Sequence, residues 1–280
     1  MDKIRLDLLL VKKELARSRE KAQAMIGAGE VWVNQKLIDK PGVAVDAQSH
    51  LEIKSKLNKY VSRGGLKMEK ALREFDIGCE GCVVLDIGAS TGGYTDCVLQ
   101  HGAAKVYALD VGYGQLDWTL RNDARVVSME KTNIRYVQPG FFPERFDLIT
   151  IDVSFISTGK VFPVLPDLLS PAGQVISLVK PQFEAEKRQV GKKGVIKDRE
   201  IHASVLARTI ASARAQGLYC SKITFSPVTG PKGNIEFFIL LSKSSYREMD
   251  LLQDIYPVVN MAHENLRSKA ENEDTVAEQL

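Results

Sequence analysis

Residues 83–95 read V-V-L-D-I-G-A-S-T-G-G-Y-T. An apolar, β-branched run passes directly into a turn of small residues and then into helix-start positions, so strand gives way to helix within a few residues. That order constrains the whole region, because a strand feeding a helix packs stably as part of a β/α unit beside further strands. Six more apolar runs follow: K-V-Y-A-L-D (105–110), R-V-V-S (125–128), F-D-L-I-T-I-D (146–152), Q-V-I-S-L-V-K (174–180), S-K-I-T-F (221–225) and I-E-F-F-I-L-L (235–241). Helical spacing recurs around 93–101, 157–169 and 198–216. The alternation predicts a mainly parallel seven-stranded sheet covered on both faces. The last two runs lie too close together for a helical crossover and are expected to pair antiparallel.

The glycine turn does not fit the dinucleotide fingerprint. G-x-G-x-x-G is absent; the glycines are Gly88, Gly92 and Gly93, separated by Ala89, Ser90 and Thr91. Asp86 stands just before the first of them, where a carboxylate repels a pyrophosphate docked at a helix N-terminus. A cationic ligand without phosphate suits the turn better, and S-adenosylmethionine, with an ammonium and a sulfonium, has that character. Asp110, ending the second run, is placed to accept from ribose hydroxyls. The expected cofactor-binding set is Asp86, Gly88, Ala89, Ser90, Thr91, Gly92, Asp110 and Asn133. An NAD-type enzyme is the alternative.

Four charged residues sit at or near the ends of these elements. Asp152 ends I-T-I-D, Lys180 ends I-S-L-V-K, Glu236 opens the last run, and Lys67 precedes the first in S-R-G-G-L-K. Ligands of doubly wound sheets bind outside the carboxyl ends of the strands, and a reversed last strand brings its start to that same edge. A lysine closing an apolar strand is costly to bury unpaired. Two amines and two carboxylates converging there suit attack by a weak hydroxyl nucleophile on a methyl sulfonium. Such attack needs alignment and relief of a proton. Lys180 is expected to orient the hydroxyl or accept its proton, with Asp152 and Glu236 fixing the lysines. The D-V-S-F after the fourth run lacks the Asn/Asp-Pro-Pro-aromatic element of base-N-methyltransferases.

At 280 residues the chain has room for two domains, and its charge is divided unevenly. Residues 1–73 carry sixteen Lys/Arg against nine Asp/Glu, whereas 243–280 carry four against eight. A basic head suggests a polyanionic partner. Residues 5–16 and the stretch from Ser18 to Gly27 or Gly29 have helical spacing, followed by short extended pieces to Ile53. Candidate phosphate contacts are Arg5, Arg17, Arg19, Lys21 and Lys36. The basic stretch 180–198, lacking periodicity, is expected to form a flap carrying Arg188, Lys192 and Lys193. Cys79 and Cys82 form a C-x-x-C without a second pair, so they are expected to be reduced thiols, with no metal site. Neither a membrane span nor a signal-peptide core is evident, so a soluble, cytoplasmic protein is expected.

These motifs carry family resemblances. The first 55 residues, with R-S-R-E-K and G-A-G-E-V-W-V-N-Q-K, resemble the S4 RNA-binding domain. The reversed-strand plan resembles the class I (Rossmann-like) S-adenosylmethionine-dependent methyltransferases. Lys67, Asp152, Lys180 and Glu236 match the K-D-K-E tetrad of the FtsJ-like ribose 2′-O-methyltransferases. Together, over residues 5–241, they resemble the TlyA (hemolysin A) family of ribosomal RNA methyltransferases. The resemblance implies methylation of cytidine 2′-hydroxyls in 23S and, for some members, 16S rRNA, with the head docking on ribosomal RNA or ribosomal subunits. The expected organisation is an S4-like domain at 1–58, a linker at 59–62, a methyltransferase domain at 63–243 and a helical, acidic tail at 244–280 with an amphipathic helix over 246–267, acting as a monomer. An RNA-binding protein with an inactive methyltransferase domain and a cytolytic hemolysin are the alternatives.

Overall fold

A computed structural model describes residues 3–16, 18–27, 31–34, 36–38, 40–53, 59–138, 140–191, 194–245 and 251–278. The chain divides into two compact units, residues 1–58 and 59–280.

The first unit comprises β1 (Lys3–Arg5), α1 (Leu6–Lys12), α2 (Arg19–Gly27), β2 (Val31–Val33), β3 (Lys36–Leu37), β4 (Ala44–Asp46) and β5 (Leu51–Ile53). Strand β1 pairs with β4, and β3, β2 and β5 form a small antiparallel sheet. Leu6, Leu9 and Leu10 of α1 recur on one helical face and meet Ala22 and Ile26 of α2 and Val31 and Val33 of β2 in one buried cluster. The Ser18 hydroxyl accepts from the Lys21 amide at 3.2 Å, capping α2.

The second unit runs α3 (Gly64–Phe75), β6 (Val83–Ile87), α4 (Gly93–Gln100), β7 (Lys105–Leu109), α5 (Trp118–Arg121), β8 (Val126–Met129), β9 (Phe146–Ile151), α6 (Leu165–Leu168), β10 (Leu169–Val179), α7 (Pro181–Glu184), α8 (Arg199–Arg214), β11 (Tyr219–Phe225), β12 (Phe237–Ser242) and α9 (Leu251–Glu278). Its seven strands lie in the order β11-β12-β10-β9-β6-β7-β8. Strand β12 runs antiparallel to both β10 and β11, while β10, β9, β6, β7 and β8 pair in parallel. This is the class I methyltransferase sheet. Alternate strand residues serve opposite cores: Leu85 and Ile87 of β6 face the core shared with α8 and α9, and Val84 faces the core shared with α3 and α4.

Three local outcomes differ from what the sequence suggested. The helix expected over 157–169 is broken into turns at Thr158–Lys160 and Phe162–Val164 and the short α6, because Pro163 and Pro166 lack the amides a continuous helix needs. Residues 59–62, expected as linker, are bound into the second unit. Tyr60 is buried against Gly65, and the Val61 amide donates to Asp96 at 2.8 Å. The C-terminal segment, expected as a tail outside the methyltransferase domain, packs onto it: Ile255, Val259, Ala262 and Leu266 of α9 enter the core beside α8. Buried between the two helices, His202 Nδ1 and His263 Nε2 share a hydrogen bond of 2.9 Å. Among the described residues, no helix is long and apolar enough to cross a membrane.

Candidate active site

Connections from β6 and its neighbours leave the sheet in opposite directions, which opens a crevice outside the strand tips. Two adjoining cavities fill it, of about 320 and 520 Å³, with Gly88, Ser90, Asp152 and Ser154 forming their shared wall. Gly88 allows the strands to close here. Its φ is +87°, and a Cβ would stand 2.5 Å from the Asp152 carbonyl oxygen.

The smaller cavity is lined by Lys67, Asp152 and Lys180, together with Arg63, Tyr94, Ser154 and Thr229. Strand register explains the convergence. Val179 of β10 is paired with Phe237 of β12, so the residues just beyond, Lys180 and Glu236, emerge at the same edge. The Lys67 Nζ donates to Glu236 Oε2 at 2.5 Å, and Lys180 Nζ pairs with Asp152 Oδ1 at 2.6 Å. Lys180 Nζ also donates to the Ser154 hydroxyl at 2.8 Å. Glu236 is fully buried behind Gly230, where there is no room for a Cβ, and its Oε1 has no hydrogen-bond partner. The Tyr94 hydroxyl is likewise buried without a partner. Burial first, and then the charges of Asp152 and Glu236, push its pKa well above the usual phenol range. Polar atoms left unsatisfied in a closed core cost stability. Here Tyr94 lines a cleft large enough for part of a nucleotide, and Glu236 lines neither cavity but lies behind the Gly230 wall of that cleft.

The larger cavity holds Asp110, Asn133, Val111, Ile134, Arg135 and Phe155. Asp110 accepts from the Ser90 amide at 2.8 Å and the Gly112 amide at 2.7 Å, which fixes its carboxylate at the tip of β7. Asn133 Oδ1 accepts from the Arg135 amide at 3.1 Å. Phe155 is 91% exposed, has φ +63° and lies 5.0 Å from the Phe183 ring, centroid to centroid.

Of the expected cofactor set, Gly88 and Ser90 line both cavities, Ala89 and Thr91 the smaller, and Asp110 and Asn133 the larger. Gly92 lies beneath Leu116 and Leu120 and lines neither. Asp86 requires a correction. It is wholly buried, on the Val84 face of β6 rather than at the strand tip. Its oxygens accept from the Thr95 amide at 3.0 Å, the Thr95 hydroxyl at 2.7 Å and the Thr150 hydroxyl at 2.8 Å. Burial pushes its carboxyl up to about 6 against those donors. Asp86 therefore ties the start of α4 to β6 and β9 beneath the glycine turn, and lines neither cavity.

The candidate RNA residues divide similarly. In the first unit Arg5 and Arg19 are half-exposed and both bind the buried Asp7, while Lys21 and Lys36 are exposed. Arg188 is exposed and paired with Glu186 at 2.7 Å, so its guanidinium is partly occupied by a neighbour. Arg17, Lys192 and Lys193 lie outside the described residues. Cys79, Cys82, Cys97 and Cys220 are free thiols. Burial raises Cys79 and Cys97 to about 12, which makes them unreactive, and no cluster of three or more potential metal ligands occurs among the described residues.

The sequence reading missed Arg63, Tyr94, Ser154 and Thr229. Of these only Ser154, two residues past Asp152 in D-V-S-F, carries a signal in spacing, because residues i and i+2 share a side of extended chain.

Comparison with known proteins identifies the family. Residues 60–243 match the FtsJ-like methyltransferase family, and residues 4–50 match the S4 domain. YqxC of Bacillus subtilis is 49% identical over 271 residues, 95% of this chain and 96% of that protein. The 16S/23S rRNA (cytidine-2′-O)-methyltransferase TlyA of Mycobacterium tuberculosis is 42% identical over 246 residues, covering 88% of this chain and 92% of that one. A solved structure from Streptococcus thermophilus is 44% identical with a TM-score of 0.77, covering 97% of this chain and 99% of the other. With an S4 domain ahead of an FtsJ-like domain, and relatives matching it over nearly its whole length, the chain belongs to the TlyA (hemolysin A) family of methyltransferases.

Proposed function

We propose that this protein transfers a methyl group from S-adenosylmethionine to the 2′-hydroxyl of a cytidine in ribosomal RNA, with 23S rRNA as a target and 16S rRNA as a second. The observation that carries the proposal is the pair of lysine–carboxylate contacts in a cleft that shares a wall with the larger cavity.

The larger cavity suits the methyl donor: its volume is that of a cofactor site, Gly88 admits close approach, and Asp110 offers a fixed carboxylate to ribose hydroxyls. When bound, the donor supplies an electrophilic methyl group on a sulfonium. The chain supplies alignment and proton handling. Asp152 and Ser154 occupy two of the positions around Lys180 Nζ. A third is left for the ribose oxygen, which Lys180 orients or relieves of its proton. Glu236, buried behind the cleft wall, holds Lys67, so both amines keep fixed directions without leaving net charge in the core. The basic first unit provides the grip on RNA, and a ribosomal substrate implies a cytoplasmic location. The intact tetrad argues against an inactive methyltransferase domain.

The test is to incubate the purified protein with labelled S-adenosylmethionine and each ribosomal subunit or naked rRNA. Label is expected at a cytidine whose 3′ linkage becomes resistant to alkaline cleavage. Label on a base, or none on either rRNA, would refute the proposal.

A further inference from the structure

The first unit contains a buried carboxylate that the proposed chemistry does not use. Asp7 is fully buried at the start of α1. Its Oδ1 accepts from Arg5 Nε at 3.0 Å and the Leu8 amide at 3.0 Å. Its Oδ2 accepts from Arg5 Nη2 at 2.9 Å, Arg19 Nε at 3.0 Å and Gln23 Nε2 at 2.9 Å. Five donors thus converge on one side chain. The Arg5 contact, more than any other, holds its carboxyl well below the usual carboxylate range.

The two arginine side chains differ from Asp7 in exposure, at 46% for Arg5 and 49% for Arg19. A guanidinium carries five N–H donors. Asp7 engages two on Arg5 and one on Arg19, so three and four respectively remain for other acceptors. Arg5 precedes α1 and Arg19 opens α2, so residues from two elements are brought to one point by a third. One buried negative charge beneath two half-exposed positive ones leaves a net positive site with its geometry fixed from below. A free arginine is long and adopts many rotamers, and fixing it before binding removes an ordering cost from association.

We infer that Asp7 is a positioning residue for RNA recognition, holding Arg5 and Arg19 side by side as one preformed clamp for backbone phosphate. The inference rests on the reading that the first unit binds ribosomal RNA. It runs against simple charge counting. Removing a carboxylate from a polyanion-binding surface raises its net charge and, on electrostatics alone, tightens binding. If Asp7 positions the arginines, its removal loosens binding.

The experiment measures affinity of the full chain for a labelled 23S rRNA transcript across a salt series, for wild type, Asp7→Asn, Arg19→Lys and Arg5→Ala with Arg19→Ala. Asp7→Asn is expected to weaken binding about tenfold despite the added positive charge, the size set by two side chains that must now be ordered on association. Arg19→Lys keeps the charge at a half-exposed position and does not threaten the fold. It is expected to weaken binding about as much as loss of the guanidinium, because one ammonium cannot reproduce the fork. Equal or tighter binding by Asp7→Asn, with thermal unfolding of the protein unchanged, overturns the inference. So does full affinity in Arg19→Lys, and this second variant decides the matter where Asp7→Asn unfolds the first unit. If the double arginine variant binds like wild type with an unchanged salt slope, the RNA-binding reading itself fails. If only the arginine variants weaken, the positioning role of Asp7 alone is lost.

Discussion

Two charged clusters in this molecule are built with opposite stoichiometry. In the first unit, one buried carboxylate, Asp7, serves two half-exposed guanidiniums, leaving a net positive surface. In the second, two largely buried amines each have their own carboxylate, Lys67 with Glu236 and Lys180 with Asp152. Excess positive charge at the surface attracts phosphate and is screened by salt. Balanced charge in a cleft attracts little, but it holds donors and acceptors in fixed directions where water is mostly excluded. The difference separates grip from chemistry, and variants in each cluster should fail in different ways.

The largest expected effect lies in the cleft. Lys180→Ala should lower the rate of methyl transfer by roughly a thousandfold, while rRNA affinity stays near wild type in a filter-binding measurement. Loss of affinity in parallel with rate would erase the distinction between the two clusters. Next is stability. Glu236→Gln strips the partner from a lysine that is only 12% exposed. The cost should be about 3 kcal/mol in chemical denaturation. Replacing both members, Lys67→Met with Glu236→Leu, should regain most of that stability yet remain inactive, since two uncharged side chains pack but do no chemistry. A double variant as unstable as the single one would show that the pair is not a self-contained unit.

A smaller effect is expected at Ser154, which touches Lys180 without belonging to either ion pair. Ser154→Ala should reduce kcat about tenfold with little change in KM, because it frees Lys180 Nζ without removing it. An effect confined to KM would place the hydroxyl on the substrate instead. The smallest concerns a third buried pair, which carries no carboxylate: His202 and His263. Burial, then the neighbouring His263, lowers His202 from 6.5 to about 4. The unfolded chain therefore takes up the proton first on acidification. The contribution is complete above pH 6.5 and is lost progressively as pH falls toward 4. At pH 5.5, one unit below the unfolded value, the loss relative to pH 7 should be roughly 1 kcal/mol. His202→Gln should flatten that part of the stability profile, as read by thermal unfolding.

The strand tips were legible in the sequence because the sheet reports itself through apolar runs, and a charged residue ending such a run marks the edge. Lys180, Asp152 and Glu236 were found that way, and register then set Lys180 opposite Glu236. Asp86 lies away from both cavities for the converse reason. One residue inside a strand tip, the two-residue period turns its side chain under α4, and its partners Thr95 and Thr150 come from other elements. The Asp7 cluster was half visible: the arginines stood out as charges, but their common anchor is buried and became apparent only once α1 and α2 were folded together. Arg63 and Tyr94 reach the cleft from α3 and α4, through helix packing that strand patterns do not encode. Tyr60 read as linker because a single aromatic between polar residues has no periodicity, although Gly65 leaves space for its ring.

The most direct measurement uses a short rRNA fragment carrying the target cytidine, prepared once with ribose and once with 2′-deoxyribose at that nucleotide alone, in single-turnover transfer from labelled S-adenosylmethionine. The base and the flanking phosphates are identical, so both RNAs should bind equally. Transfer to the ribose form and none to the deoxy form is the expected result if Lys180 and Asp152 act on a 2′-oxygen. Label appearing on the deoxy form would contradict it, since the methyl group would then be going to the base.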